Sequence, residues 1–109
     1  MILDLIDISI LREFYKLSEN ETKATTWTIM NKAFPNCKND GEKRAKHNLI
    51  KSRIRKMEGD LFEITKNGDG KLTYTLIGDN IKFCKHKFPN GSKDCLMVCL
   101  DNRWNIFEI

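Results

Sequence analysis

The sequence predicts an α+β fold, with helices in its first half and antiparallel strands in its second. Three observations carry this. Apolar residues recur with a helical period from Asp7 to Leu17 and again from Trp27 to Phe34. A third segment, Glu42 to Glu58, places Ile50, Ile54 and Met57 on one helical face, and Leu61 continues the row. Beyond Gly59 the period switches to two, with Leu61, Phe62 and Ile64 followed by Leu72, Tyr74 and Leu76.

In the first helix Ile8, Ile10, Leu11, Phe14, Tyr15 and Leu17 fill a wide apolar arc, which suits a helix packed on more than one side. Ile2, Leu3, Leu5 and Ile6 either extend it or form an apolar arm toward a second subunit. Residues 18–22 are a polar break. Thr25 or Thr26 can cap the second helix, and Pro35 ends it by disfavouring helical backbone at Phe34. Residues 35–41 are turn-forming throughout. Asn39 or Asp40 caps the third helix, with Glu42 in its first turn, where the macrodipole favours an anion. Gly59 is a natural helix stop.

Asn67-Gly68-Asp69-Gly70 then joins the two short strands of 61–77 as a hairpin. Residues 79–88 fit two patterns, a helix grouping Ile81, Cys84 and Phe88 or a strand pairing Ile81 with Phe83. Pro89-Asn90-Gly91 turns the chain. Residues 95–100 and 104–109 form a terminal β-hairpin across Asp101-Asn102. That hairpin is apolar on both sides, so both need covering: one by the domain, the other by a dimer partner. Residues 1–78 and the extension 79–109 are expected to pack as one compact unit.

A chain of 109 residues, 40% hydrophobic and 31% charged, can bury one modest core but has no room for an enzyme with a deep cleft and a lid. No stretch approaches the roughly 20 apolar residues of a membrane span, and the first residues lack the basic region of a signal peptide. A cytoplasmic protein without membrane association is expected. The net charge of +4 is unevenly placed. Residues 1–22 hold two basic and five acidic groups, or −3, and residues 36–71 hold ten basic and six acidic groups, or +4. An anion-attracting field is therefore concentrated on the middle of the chain.

Seven cations lie between Glu42 and Glu58 with no acid among them: Lys43, Arg44, Lys46, Lys51, Arg53, Arg55 and Lys56. Opposite the apolar row, Arg44, Asn48, Lys51 and Arg55 align at i, i+4, i+7 and i+11, while Lys46 and Arg53 lean toward the core side. A solvated surface helix would also be basic. The combination of a docking stripe and an outward cation-plus-amide stripe is what a helix needs to enter a DNA groove. There the cations meet phosphate or guanine and the asparagine can pair with an adenine edge. Lys43 and Ser52 flank the stripe, and Lys66, Asn67 and Lys71 stand around the hairpin tip, within reach of flanking DNA. Thr25, Thr26 and Thr28 could donate to phosphates, although capping alone explains them better.

The order helix, helix, loop, basic helix, β-hairpin over roughly Asp7 to Gly78 resembles the winged helix-turn-helix family. Tyr74-Thr75-Leu76-Ile77-Gly78 is similar to the exit strand of the wing in small archaeal and bacterial regulators. Ile77 stands where threonine is common, the glycine comes early, and the seven-residue turn before the basic helix is longer than usual. The resemblance implies a three-helix domain with a β-hairpin wing at 61–77, here carrying an additional C-terminal β-hairpin. It implies a sequence-specific double-stranded DNA-binding protein, a homodimeric transcriptional regulator that needs no cofactor. A protein–protein interaction module on the same scaffold is the competing reading, with the acidic N-terminus and terminal hairpin as working surfaces.

Catalysis is not expected. The sequence has no Gly-rich phosphate loop, serine-nucleophile elbow or His-Glu-x-x-His motif, and nothing near His47 supplies a nucleophile or carboxylate partner. Cys84-x-His86 and Cys95-x-x-x-Cys99 offer four weak candidate zinc ligands. Their spacing matches no common structural site, and in a strand Cys95 and Cys99 stand about 13 Å apart. Free buried thiols are expected instead, with a Cys84–Cys95 disulfide the alternative in a hyperthermophilic source. Trp27 and Trp104 sit within apolar-periodic segments, as core or interface residues do.

Overall fold

A computed structural model of the chain describes residues 2–19, 25–66, 68–70 and 72–108. Asn67, Lys71, Ile109 and most of the expected polar break at 18–22 lie outside these. The order is α1 (Leu5–Glu19), α2 (Thr26–Ala33), α3 (Asp40–Lys56), β1 (Phe62–Lys66), β2 (Leu72–Leu76), a 3-10 turn at Gly78–Asn80, β3 (Ile81–Phe88), β4 (Gly91–Leu100) and β5 (Arg103–Glu108). The described residues form an α+β fold with three helices and two antiparallel sheets, one of two strands and one of three.

Local chemistry sets the ends of the helices. Asp4 and Asp7 cap the start of α1 reciprocally: each carboxylate accepts from the other's backbone N–H, at 2.9 and 3.1 Å. This Asp-x-x-Asp pair starts the helix two residues before the apolar period does. Thr25 caps α2, its hydroxyl accepting from the Thr28 N–H. Asn39 caps α3, its side-chain oxygen accepting from the Glu42 N–H at 2.9 Å, while the Glu42 carboxylate accepts from the Lys38 N–H at 2.8 Å. After α3 the chain reverses at Gly59 with φ of +88°, a conformation that costs glycine nothing. The Leu61 N–H donates to the Met57 carbonyl at 2.9 Å, fixing where the first hairpin leaves the helix.

One core unites helices and sheets. Ile10, Leu11 and Phe14 of α1, Ile29 and Met30 of α2, and Ile50, Ile54 and Met57 of the α3 end are fully or almost fully buried. Phe62 enters from β1 and packs edge-on against Phe14, with ring centroids 4.9 Å apart. The three-stranded sheet lays one face on the same core through Ile81, Leu96, Val98 and Leu100, and Phe83 stacks on Tyr15 at 5.7 Å.

The ambiguous segment 79–88 is a strand from Ile81 onward, after two residues that belong to the 3-10 turn. Ile81 opposes Val98 and Phe83 opposes Leu96, so both point inward, and the terminal hairpin becomes two strands of a β3-β4-β5 meander. Asp101 and Asn102, both at positive φ, make the β4–β5 turn that residues of this type tolerate best. The other face of this sheet carries Lys82, Cys84, His86 and Phe88 of β3, Cys95, Met97 and Cys99 of β4, and Trp104, Ile106 and Glu108 of β5.

Both tryptophans depart from the core reading. Trp27 and Trp104 are 47% and 43% exposed. Trp27 meets the His47 ring edge-on at 4.8 Å, and Trp104 lies under the Lys82 ammonium at 5.1 Å, so each uses its surface position for a polar partner.

Candidate nucleic-acid interface

The seven cations of α3 are sorted by what each side of the helix meets. On the core side, Ile50 and Ile54 are fully buried. On the side toward α1, Arg53 pairs with Asp4 and, at 3.3 Å, with Asp7; Lys56 reaches Asp7 at 2.6 Å and the Ile2 carbonyl at 3.2 Å. The Asp7 side chain is wholly buried, and these two cations with the Asp4 N–H satisfy it. The Arg53 guanidinium, helped by the Asp7 N–H, holds the Asp4 carboxyl at a pKa of about 2.

Toward α2, His47 Nε2 and Thr26 Oγ1 form a 2.7 Å hydrogen bond. Burial, and then the nearby Lys51 charge, lower the pKa of His47. The Lys46 ammonium sits 4.8 Å from the centre of the Phe34 ring. Thr26 is buried and Thr25 and Thr28 bond to each other, so the threonines serve capping and packing.

That leaves the outward side. Arg44, Asn48, Lys51, Ser52 and Arg55 are all exposed, whereas Lys43, seven residues before Ile50 on the helix, is half-buried. Among the described residues no carboxylate forms an ion pair with Lys43, Arg44, Lys51 or Arg55. The Ser52 hydroxyl donates to the Leu49 carbonyl of its own helix at 3.0 Å.

The first hairpin stands beside this side. Asn48, Lys51, Ser52 and Arg55 line a groove of about 290 Å³, whose other wall is Leu72 and Tyr74 of β2. Leu72 and Tyr74 were not expected here. Both belong to the alternation that marks a half-buried strand, which does not show that they line a groove with α3. Lys66 is exposed at the end of β1, and Asn67 and Lys71, the other expected tip residues, fall outside the described part. The arrangement offers cations and an amide on a rigid helix, with an aromatic hydroxyl and an apolar side chain on the adjoining strand.

The weak zinc candidates are not brought together as a set. Cys84 faces Cys95 across the β3–β4 ladder, but His86 faces Lys93 and packs on Phe88 at 5.2 Å, and Cys99 faces Trp104. Among the described residues no three His, Cys, Asp or Glu side chains form a metal-sized group. Among them also no helix is long and apolar enough to cross a membrane. No protein-family model matches the chain, and it has no significant match among curated proteins or solved structures.

Proposed function

We propose that the chain is a double-stranded DNA-binding protein of winged-helix type, and that it acts by binding and not by chemistry. In this reading α3 enters the major groove and the β1–β2 hairpin is the wing. One observation carries it: Arg44, Lys51 and Arg55, exposed α3 cations with no ion-pair partner among the described residues, share one side with Asn48, and Asn48, Lys51 and Arg55 form a groove there with the hairpin. Lys43, Arg44, Lys51 and Arg55 meet phosphates or guanine, Asn48 reads adenine, and Ser52 lies at the edge. Lys66 at the end of β1 reaches flanking backbone or minor groove, and Asn67 and Lys71, the residues expected to join it, lie outside the described part. A cytoplasmic regulator that occludes or recruits at a promoter, paired as a homodimer on a two-fold site, is the role that fits such a reader.

Binding of random duplex DNA at two salt concentrations tests the class. A reader of this kind binds with a steep salt dependence, and the double variant Arg44→Ala/Arg55→Ala loses most of that binding. Unchanged duplex binding by the double variant refutes the assignment. Selection from a random duplex pool then reports specificity and symmetry together, because a homodimer selects a palindrome.

The competing reading is a protein-interaction module. It is favoured by the outer face of the three-stranded sheet, where Phe88, Trp104 and Ile106 are exposed side chains of the type that interfaces bury. It requires that no salt-steep DNA binding be found.

A further inference from the structure

Four cysteines are unevenly distributed over the fold. Cys37 lies in the α2–α3 connection against the helical core, and Cys84, Cys95 and Cys99 all point to the outer face of the β3-β4-β5 sheet. Cys95 is buried, yet it does not belong to the core cluster.

Within that face the register selects one pair. Cys84 and Cys95 are direct antiparallel partners. Residues directly opposed in such a ladder have Cα atoms about 4.5–5.5 Å apart, within the span a disulfide bridges. Cys99 is four residues further along β4, roughly 13 Å from Cys95, and its own partner is Trp104. Cys95 Sγ lies 3.9 Å from the Lys93 carbonyl. Burial first, and then the adjacent Cys84 thiol, push the Cys95 thiol upward in pKa, as expected for two sulfurs side by side. Cys84 is the more accessible of the two, and Lys82 and His86 flank it on the same face of β3.

We propose that Cys84 and Cys95 are a reversible dithiol site that closes to an intrachain, cross-strand disulfide by exchange with low-molecular-weight disulfides. The accessible Cys84, as thiolate, attacks one sulfur of the small disulfide; a mixed disulfide forms at Cys84 and one small thiolate leaves. The Cys95 thiol then loses its proton to solvent and attacks the Cys84 sulfur, expelling the second small thiolate. Two protein thiols are oxidised, one small disulfide is reduced to two small thiols, and a reducing thiol reverses both steps. The crosslink staples β3 to β4 at mid-ladder. It lies on the sheet face turned away from the core, so it is independent of whether α3 binds DNA.

The test uses the folded full chain equilibrated with excess oxidised glutathione. Thiol titration falls from four to two per chain, the intact mass falls by two hydrogens, a non-reducing peptide map joins Cys84 to Cys95, and dithiothreitol restores all four thiols. The C37S/C99S double variant still forms the link. Cys95→Ala stops at a species heavier by one glutathione on Cys84. Retention of all four thiols, accumulation of mixed disulfides alone in the wild-type chain, or a link that uses Cys37 or Cys99 or joins two chains overturns the proposal.

Discussion

The division of the α3 cations makes a quantitative prediction. Each phosphate neutralised by a protein cation releases counterions, so the logarithm of the binding constant falls with the logarithm of salt by about 0.9 per contact on duplex DNA. In α3 and the first hairpin, four exposed cations (Arg44, Lys51, Arg55 and Lys66) and the half-buried Lys43 have no carboxylate partner among the described residues. If all five meet phosphates the slope is about −4.5, and raising salt from about 50 to about 200 mM weakens binding roughly 500-fold. Lys51→Ala or Arg55→Ala should each flatten the slope by about 0.9.

Arg53→Ala removes the same formal charge from the same helix, and it should leave the slope where it was. Arg53 is held by Asp4 and Asp7 on the side facing α1, so it has no phosphate to give up. Fluorescence anisotropy of a labelled random duplex, titrated at four or more salt concentrations, measures all three slopes. Circular dichroism confirms that each variant is folded before it is compared. If Arg53→Ala flattens the slope as much as Arg55→Ala does, the sorting of cations by helix side is wrong. A wild-type slope near zero removes the DNA reading altogether.

Four further outcomes follow from single side chains. Asn48→Ala should erase a preference of about 1–3 kcal/mol at one base pair and leave the salt slope unchanged, as competition among duplexes altered one position at a time will show. Asp7→Ala should destabilise the fold by about 2–3 kcal/mol in urea denaturation, toward the low end for a broken buried pair because Arg53 and Lys56 are partly exposed and can rehydrate. Its neighbour Asp4, lowered from 3.8 to about 2, contributes stability that is present above the unfolded value and lost as pH falls toward 2. Its side chain is half-exposed, so screening leaves about 1 kcal/mol of this. His47 has the opposite chemistry. Its folded pKa lies below 6.5, so the unfolded chain takes up a proton that the fold resists, and stability should drop as pH falls below about 6.5. His47→Gln flattens that part of the curve, read by denaturation between about pH 7.5 and 5.5.

The sequence was most informative where one local rule was enough. The α3 stripe needed only the helical period, and the Asn39 cap only an Asx residue before an acidic first turn. The leaning of Lys46 and Arg53 away from the exposed side also followed from angle alone. What it hid were facts made by residues far apart. Residues 81–88 alternate weakly because lysines and a histidine fill the strand's outer and distal positions, and only pairing with Val98 and Leu96 decides it as β. Lys56 reads like any other cation of its helix until Asp7, 49 residues away, is placed against it. Tyr74 and Leu72 look like ordinary strand residues, and nothing local shows that β2 leans on the outward side of α3. The core half of the tryptophan reading failed for a related reason: an apolar period marks a face, but the face is buried only if something lies over it.

The opposite charges of the two ends of the helical region then work as one device. Taken as a sum, the −3 of residues 1–22 nearly cancels the +4 of residues 36–71, and the basic middle would look weak. Geometry prevents the cancellation. Asp4 and Asp7 are committed to Arg53 and Lys56 on one side of a helix about 10–12 Å wide, and the Arg44–Arg55 stripe is on another. That width is comparable to the Debye length of about 8 Å at physiological ionic strength, so the carboxylates do little to damp the field over the exposed stripe. They neutralise the two cations that could not reach a groove while pinning α3 to α1. In the DNA-binding reading, α1 therefore both orients the helix and confines its positive field to the side that meets the duplex. Asp7→Ala should then cost stability without strengthening DNA binding, because the charge it frees still faces the wrong way.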